Sequence, residues 1–294
     1  MRQKGIMLLE INVWRVFMGS LFFIINCVAF AQQLNHNTVP VLEDYPFFHV
    51  EFVKSHSIQK IETKVLYKWP NQPLRNSFET QRYEFDKRGV MLKYRGCKKN
   101  GVCSSTSYFL NKQGLLATSH YRHGMRNEIN AYHYDENGLV VKIEKNKAAD
   151  ASFISKEEFS YERYSDFQYK KFYLNDEQLT YKYEVVDVDE KERLIDSRTR
   201  FIHGVNRSSL HVVYENDFMV EHVLNIRDIT RREEKYMMQY DEDGKLQVTE
   251  FWVDAALVYR YEYLYEAGLL DAILRKNLST QEIQITKLEY SFFD

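Results

Sequence analysis

The chain has 294 residues, 44% hydrophobic and 28% charged, with a formal net charge of −2. That balance excludes a disordered chain and a basic nucleic-acid footprint, and it leaves enough apolar residues for one or two packed domains. The 22 Tyr and 19 Phe, against 4 Pro and 11 Gly, lean toward β-structure, because aromatic side chains fit a pleated, half-buried surface.

The first element is a targeting segment. Arg2, Lys4 and Arg15 precede an apolar run from Val16 to Ala31, broken by Gly19, Ser20 and Asn26 and ending in Ala29-Phe30-Ala31. A basic start, a short apolar stretch and a small-x-small end predict a secretory signal peptide over residues 1–31, cut after Ala31. The run is shorter and more interrupted than the roughly 20 apolar residues of a membrane helix. Glu10 within the basic segment also suits a start at Met7, and Asn26 is bulky for a lipoprotein site at Cys27. The expected location is therefore the periplasm or the cell surface, with the outer membrane as the alternative. Residues 32–57 form a lead-in with no clear periodicity; Pro46-Phe47-Phe48-His49-Val50 suits a strand or a loop.

Cleavage would leave two cysteines, Cys97 and Cys103, flanking Lys98-Lys99-Asn100-Gly101-Val102. A three-residue hairpin loop with Gly101 at positive φ sets 97 opposite 103. In an oxidising compartment that pair is expected to form a disulfide. Free thiols or two metal ligands are the alternatives, although two ligands without nearby His or further Cys do not close a zinc site.

From Ile58 onward a repeat takes over. Tyr132-His133-Tyr134-Asp135-Glu136-Asn137-Gly138-Leu139 is its clearest copy, and related stretches begin at Tyr83, Tyr108, Phe159, Val188, Tyr214, Met238 and Tyr263. Their acidic or Asn positions, 86, 111, 135, 162, 189, 215, 241 and 266, are spaced 24–27 residues apart. A fixed period in this range marks a repeat architecture. Tyr-x-Tyr puts two rings on one face of a strand. Asp or Asn then accepts backbone N–H bonds to start a turn, and Gly supplies the positive φ that closes it. The fourth and fifth copies lack that Gly, Glu192 standing in its place in the fifth.

Each period is too long for one strand, so a second turn is expected in each. Candidates are Pro70–Asn76, Lys98–Gly101, His123-Gly124, Lys147–Asp150, Asn175–Glu177, His203–Asn206, Asp228–Thr230, Asp254-Ala255 and Asn277–Thr280. Residues 58–294 thus read as one all-β domain, an antiparallel up-and-down meander of about eighteen strands from ~25-residue hairpin repeats. Tyr259, Tyr261, Tyr263 and Tyr265 share a face while Arg260, Glu262 and Leu264 point away. A sheet with one apolar face and no covering helices must curl, fold into two layers or close into a barrel.

The Tyr-x-Tyr-Asp-x-x-Gly-x-Leu signature resembles the YD (RHS-type) repeat of bacterial surface and toxin-shell proteins. The plan is also similar to uncharacterised exported proteins of Bacteroidetes-type bacteria described as porin-like. Tyr83/Asp86/Gly89, Tyr132/Tyr134/Asp135/Gly138, Tyr240/Asp241/Gly244 and Tyr263/Tyr265/Gly268 carry the resemblance. It implies a sheet and contains no catalytic residue. The chain has no counterpart of the large C-terminal toxin module, which speaks against a toxin role.

Chemistry-bearing patterns are sparse. Asp241-Glu242-Asp243-Gly244 spells half a calcium loop without its remaining ligands and reads as a turn. His120 and His123 lie near a hairpin tip with no third ligand in sequence. No nucleophile elbow, zinc-protease helix or phosphate loop is present, so no catalytic residue, metal ligand or cofactor site is assigned. The expectation is a non-enzymatic structural or ligand-binding module of the cell envelope. Trp252, Tyr259, Tyr261 and Tyr263 are the candidate surface for a glycan, lipid or peptide, with no nucleic-acid partner. An outer-membrane β-barrel is the alternative, and a secreted enzyme acting on envelope polymers is the third reading.

Overall fold

The computed structural model describes residues 50–191, 193–202, 206–226 and 232–294. The expected signal peptide, most of the lead-in, Glu192 and the loops expected at 203–205 and 228–230 lie outside the described residues. The end of the lead-in is one short helix, α1 (Val50–Ser55), which buries Phe52 and Val53.

Strands then follow without interruption. They are β1 (Ile58–Lys68), β2 (Arg75–Phe85), β3 (Met91–Cys97), β4 (Cys103–Leu110), β5 (Leu116–His123) and β6 (Arg126–Tyr134). Next come β7 (Val140–Lys147), β8 (Phe153–Ser165), β9 (Gln168–Leu174), β10 (Thr180–Val188), β11 (Leu194–Phe201) and β12 (Asn206–Glu215). The last six are β13 (Phe218–Ile226), β14 (Arg232–Tyr240), β15 (Leu246–Val253), β16 (Ala256–Glu266), β17 (Leu269–Asn277) and β18 (Ile283–Phe292). Every strand pairs antiparallel with its sequence neighbours, and β1 also pairs with β18, so the 18-stranded sheet closes on itself. The seam sets Ile61 opposite Tyr290 and Thr63 opposite Leu288. Closure settles how the apolar face is covered: it becomes the inside of a barrel, and no strand edge is left to pair with another chain.

The motif turns lie together on the α1 rim. In the clearest copy Asp135 N–H donates to the Leu139 carbonyl, while Asp135 Oδ1 accepts from Asn137 N at 2.9 Å and Leu139 N at 2.8 Å. Asp86, Asn111, Asp189 and Asp241 repeat the same bonds. A glycine closes the turn at 89, 114, 138 and 244, each at φ near +80°. At Gly89 the space is taken as well: an added Cβ would sit 2.2 Å from the Val50 carbonyl oxygen, so this turn seats α1 on the barrel rim.

A register shift precedes each of these turns, as between His133 and Tyr134, Gln239 and Tyr240, or Leu264 and Tyr265. Such bulges strengthen the local twist and take a residue out of the ladder. The second tyrosine of the motif reaches back to the preceding bulge. Tyr134, Tyr161, Tyr240, Tyr265 and Tyr290 donate to the carbonyls of Leu116, Val140, Met219, Leu246 and Leu270 at 2.6–3.0 Å. Consecutive repeats are latched together by a phenol.

The fourth copy departs from expectation. The strand carrying Phe159 and Tyr161 does not turn at Glu162 but runs on to Ser165, and the chain reverses at residues 166–167. Without an Asp at 162 and a Gly after it, nothing stops the ladder there. The motif bonds appear instead at Asn175, on the opposite rim, where Gln178 takes the glycine position at φ 62°.

Inside, the barrel is graded. Next to the α1 rim stands a belt of buried apolar side chains that includes Phe85, Met91, Leu116, Val140, Leu194, Leu246 and Leu270. Farther along the strands the inward positions become polar and aromatic. The outward face carries charge in mid-strand, organised as cross-strand ion pairs such as Lys64–Glu289 at 2.5 Å, Arg198–Asp187 at 2.7 Å and Arg260–Glu250 at 3.3 Å, and as pairs along one strand such as Lys142–Glu144 at 2.6 Å.

Candidate functional site

Eighteen strands enclose more width than side chains can fill, so the inward face beyond the apolar belt is the candidate binding surface. Two of its walls are aromatic. The first spans β14 to β17, where register sets Tyr236 opposite Phe251, Phe251 opposite Tyr259, and Tyr261 opposite Arg275. Ring centroids step along it at 4.7 Å from Tyr236 to Phe251, 6.1 Å to Tyr259 and 6.3 Å to Tyr261. The Arg275 guanidinium lies over Tyr259 at 5.0 Å. His222 packs at a tilt beside Tyr236, ring centroids 5.5 Å apart, and burial pulls its imidazole below the ordinary range against the opposing pull of Glu234.

The four residues singled out in sequence separate here. Tyr259 and Tyr261 stand on this wall, half-buried. Tyr263 is on the same face but buried in it, accepting a hydrogen bond from Thr249 Oγ1 at 3.3 Å. Trp252 pairs with Lys235, on the opposite side of the sheet from Phe251, so it does not join the tyrosines. Its indole Nε1 is buried without a hydrogen-bond partner among the described residues.

The second wall, across β8 to β11, was not singled out in sequence. Phe159 faces Tyr173, Tyr173 faces Lys182, and Lys171 faces Glu184. Lys182 Nζ sits 3.5 Å from the Tyr173 ring centroid; Lys171 Nζ sits 4.0 Å from Phe159 and 4.9 Å from Tyr173. The Glu184 carboxylate accepts from Tyr173 Oη at 3.2 Å and from Ser197 Oγ at 2.5 Å. Burial lowers the Lys171 pKa, opposed by the Glu184 charge, and pushes Tyr169 up to about 12 with help from the same carboxylate. These residues form a set only because β9 and β10 pair in this register; the sequence signal was the alternation Tyr169-x-Lys171-x-Tyr173 facing Lys182-x-Glu184.

A third inward group is ionic. Glu128 is buried and held by Arg126 Nε at 2.5 Å and Lys145 Nζ at 3.0 Å, with the Arg126 hydrogen bond the main cause of its lowered pKa. Cys97 and Cys103 form a disulfide at the β3–β4 tip, with Cα atoms 4.0 Å apart. Among the described residues no group of three or more His, Cys, Asp or Glu is placed to hold a metal ion. No described helix is long and apolar enough to cross a membrane, which says nothing of strands.

No family model matches the chain, and no curated protein matches it. In structure it is similar to a porin-like protein from Bacteroides uniformis, at TM-score 0.42 and 11% identity over 80% of this chain and 97% of the other. A porin-like protein from Bacteroides vulgatus overlaps at TM-score 0.27 and 12% identity, over 78% of this chain and 98% of that one. The Photorhabdus luminescens Tc holotoxin pore overlaps at TM-score 0.28 and 10% identity, over 72% of this chain but 15% of that one. All three are likenesses below a TM-score of 0.5, and the function of this chain is taken from its own residues.

Proposed function

We propose that the protein is an exported, non-enzymatic binding barrel of the cell envelope whose lumen takes an acidic glycan. The observation that carries this reading is the pair of lumen-facing aromatic walls, one of them holding Lys171 and Lys182 against Tyr173 and Phe159. Flat rings offer stacking area to sugar faces, and lysines lying on rings supply positive charge at fixed positions. Glu184 has both oxygens engaged by hydroxyl donors, which suits a structural acceptor better than a general base. Export is supported by the basic, apolar, Ala-x-Ala start of the chain and by the disulfide, a bond kept in oxidising compartments.

The outer-membrane reading has the closed barrel in its favour but conflicts with the charges on the outward face. Lys and Arg near a bilayer midplane cost roughly 2–4 kcal/mol each on a lipid-facing strand. Fractionation of the tagged protein from a Gram-negative host separates the two readings. Release by osmotic shock is expected; retention in the outer membrane after carbonate washing sinks the proposal. Binding is then measured calorimetrically with a uronic-acid oligosaccharide and a neutral one of equal length. The acidic sugar is expected to bind more tightly, with Lys182→Ala weakening it about tenfold or more, as for loss of a charge-assisted contact. Equal affinity for both sugars, unchanged by Lys182→Ala and Tyr259→Ala, would remove the glycan reading.

A further inference from the structure

The two rims of the barrel differ in chemistry. The α1 rim is mixed in charge, its turns carrying Asp135-Glu136 and Asp241-Glu242-Asp243 but also Lys87-Arg88 and Lys112. On the far rim, four neighbouring tips, those of the β1–β2, β3–β4, β5–β6 and β7–β8 hairpins, expose apolar side chains. Trp69 and Leu74 stand on the first tip, Val102 on the second, Met125 on the third and Phe153 at the base of the fourth, with Phe78 just below the first. Met125 is completely exposed and Phe78 is 70% exposed. Nothing in the barrel gains from this: a two-residue turn such as Gly124-Met125 folds equally well with a polar second residue.

The same four tips are basic. Lys68, Arg75, Lys98, Lys99 and Lys147 are all exposed, and none is ion-paired among the described residues, although ion pairs are common on the outer wall. Asp150 is the one carboxylate of these tips. The sector ends at the next tip, where Asp176 and Glu177 reverse the sign.

We propose that this sector of the rim docks on the surface of an anionic bilayer. Adjacent strands lie about 4.8 Å apart, so neighbouring tips stand about 10 Å apart and the four span about 30 Å of rim. Apolar residues so spaced, each on its own projecting turn, make no continuous face for a folded partner. They suit a headgroup layer, into which each tip inserts separately while lysines meet lipid phosphates and Trp69 takes the interfacial position that indoles favour. The α1 rim then points away from the membrane. The inference goes beyond the lumen reading and does not depend on any lumen ligand.

The test is co-sedimentation of protein recovered from an exporting host with vesicles of one part phosphatidylglycerol to three of phosphatidylcholine, against pure phosphatidylcholine. Binding to the anionic vesicles that weakens with salt is expected. The double variant Lys98→Glu, Lys99→Glu should bind about thirtyfold more weakly or worse. Met125→Asp should weaken binding severalfold, while Lys142→Glu on the outer wall should leave it unchanged. All variants share one amino terminus, so residual signal segment cannot account for the difference, and all sites are exposed or half-buried at the surface, so circular dichroism should match. No anionic preference, or equal binding by every variant, overturns the proposal. Self-association that Met125→Asp abolishes, without vesicle binding, would assign the sector to a second copy of the chain instead.

Discussion

Tyr265 lies on its strand beside three other tyrosines of the same face, yet only its hydroxyl reaches the bulge carbonyl of Leu246, at 3.0 Å. Replacing it with Phe keeps the ring packing and removes the bond. The expected loss is about 1–2 kcal/mol, because an acceptor next to the buried apolar belt is left with one partner fewer. Tyr259→Phe, which removes a hydroxyl from the lumen face, should change stability by less than about 0.5 kcal/mol. Urea denaturation of the two variants checks this; equal losses would mean the latch contributes nothing. The Tyr-x-Tyr pairing was legible in sequence from period two alone. The latch was not, since its partners lie 18–21 residues apart and meet only after the bulge turns a carbonyl inward. Trp252 misled for the opposite reason: its chemistry suits a binding surface, but its parity puts it on the other side from Phe251.

At the scale of the hairpin, the motif is a turn device that works wherever Asp or Asn meets a residue able to hold positive φ three positions on. The Asn175 tip makes the motif bonds with Gln178 at φ 62° in place of glycine. The left-handed region costs a non-glycine residue about 1 kcal/mol or more. Gln178→Gly should therefore stabilise the barrel by about 0.5 kcal/mol or more, despite losing an exposed hydrogen bond to Glu158. A lower urea midpoint for this variant would show that the turn is not strained. This tip also accounts for the departure of the fourth copy from the repeat. Its Asn lies on the far rim, out of phase with the period, while the in-phase turn at 166–167 has neither Asp-x-x-Gly nor Tyr-Asp to announce it. The 24–27-residue spacing therefore points to Glu162, where the strand continues. Strand number, alternation and most tips were legible because the same few residues build them each time. Closure was not, because nothing local distinguishes the outer face of β1 or β18 from that of any other strand.

Across the whole molecule, tyrosine burial makes stability depend on alkaline pH. Burial, the leading cause in each, raises the phenols of Tyr83, Tyr161, Tyr173 and Tyr265 well above their ordinary value and brings Tyr169 to about 12. In the unfolded chain these groups ionise near about pH 10. Below that value both states keep the proton and the full stability is present; above it the unfolded chain releases protons that the barrel retains, so stability falls as pH rises from about 10 through 12. Thermal melts should be flat from about pH 8 to 9.5 and then drop steeply. A midpoint that holds to pH 11 would mean the tyrosine faces are wetter than their burial indicates.

The seam between β1 and β18 sets the order of assembly. Every other strand pair joins neighbours across a turn, whereas Ile58 meets Phe292 only after more than two hundred residues have folded between them. Closing so long a loop costs about 3 kcal/mol more chain entropy than closing a hairpin turn. The meander therefore zips first and the ring shuts last, and until it shuts the chain is an open sheet with two bare edges. An edge of one molecule can then meet the complementary edge of another before its own. The race is between a first-order and a second-order step, and the yield of monomeric barrel on refolding is set by protein concentration.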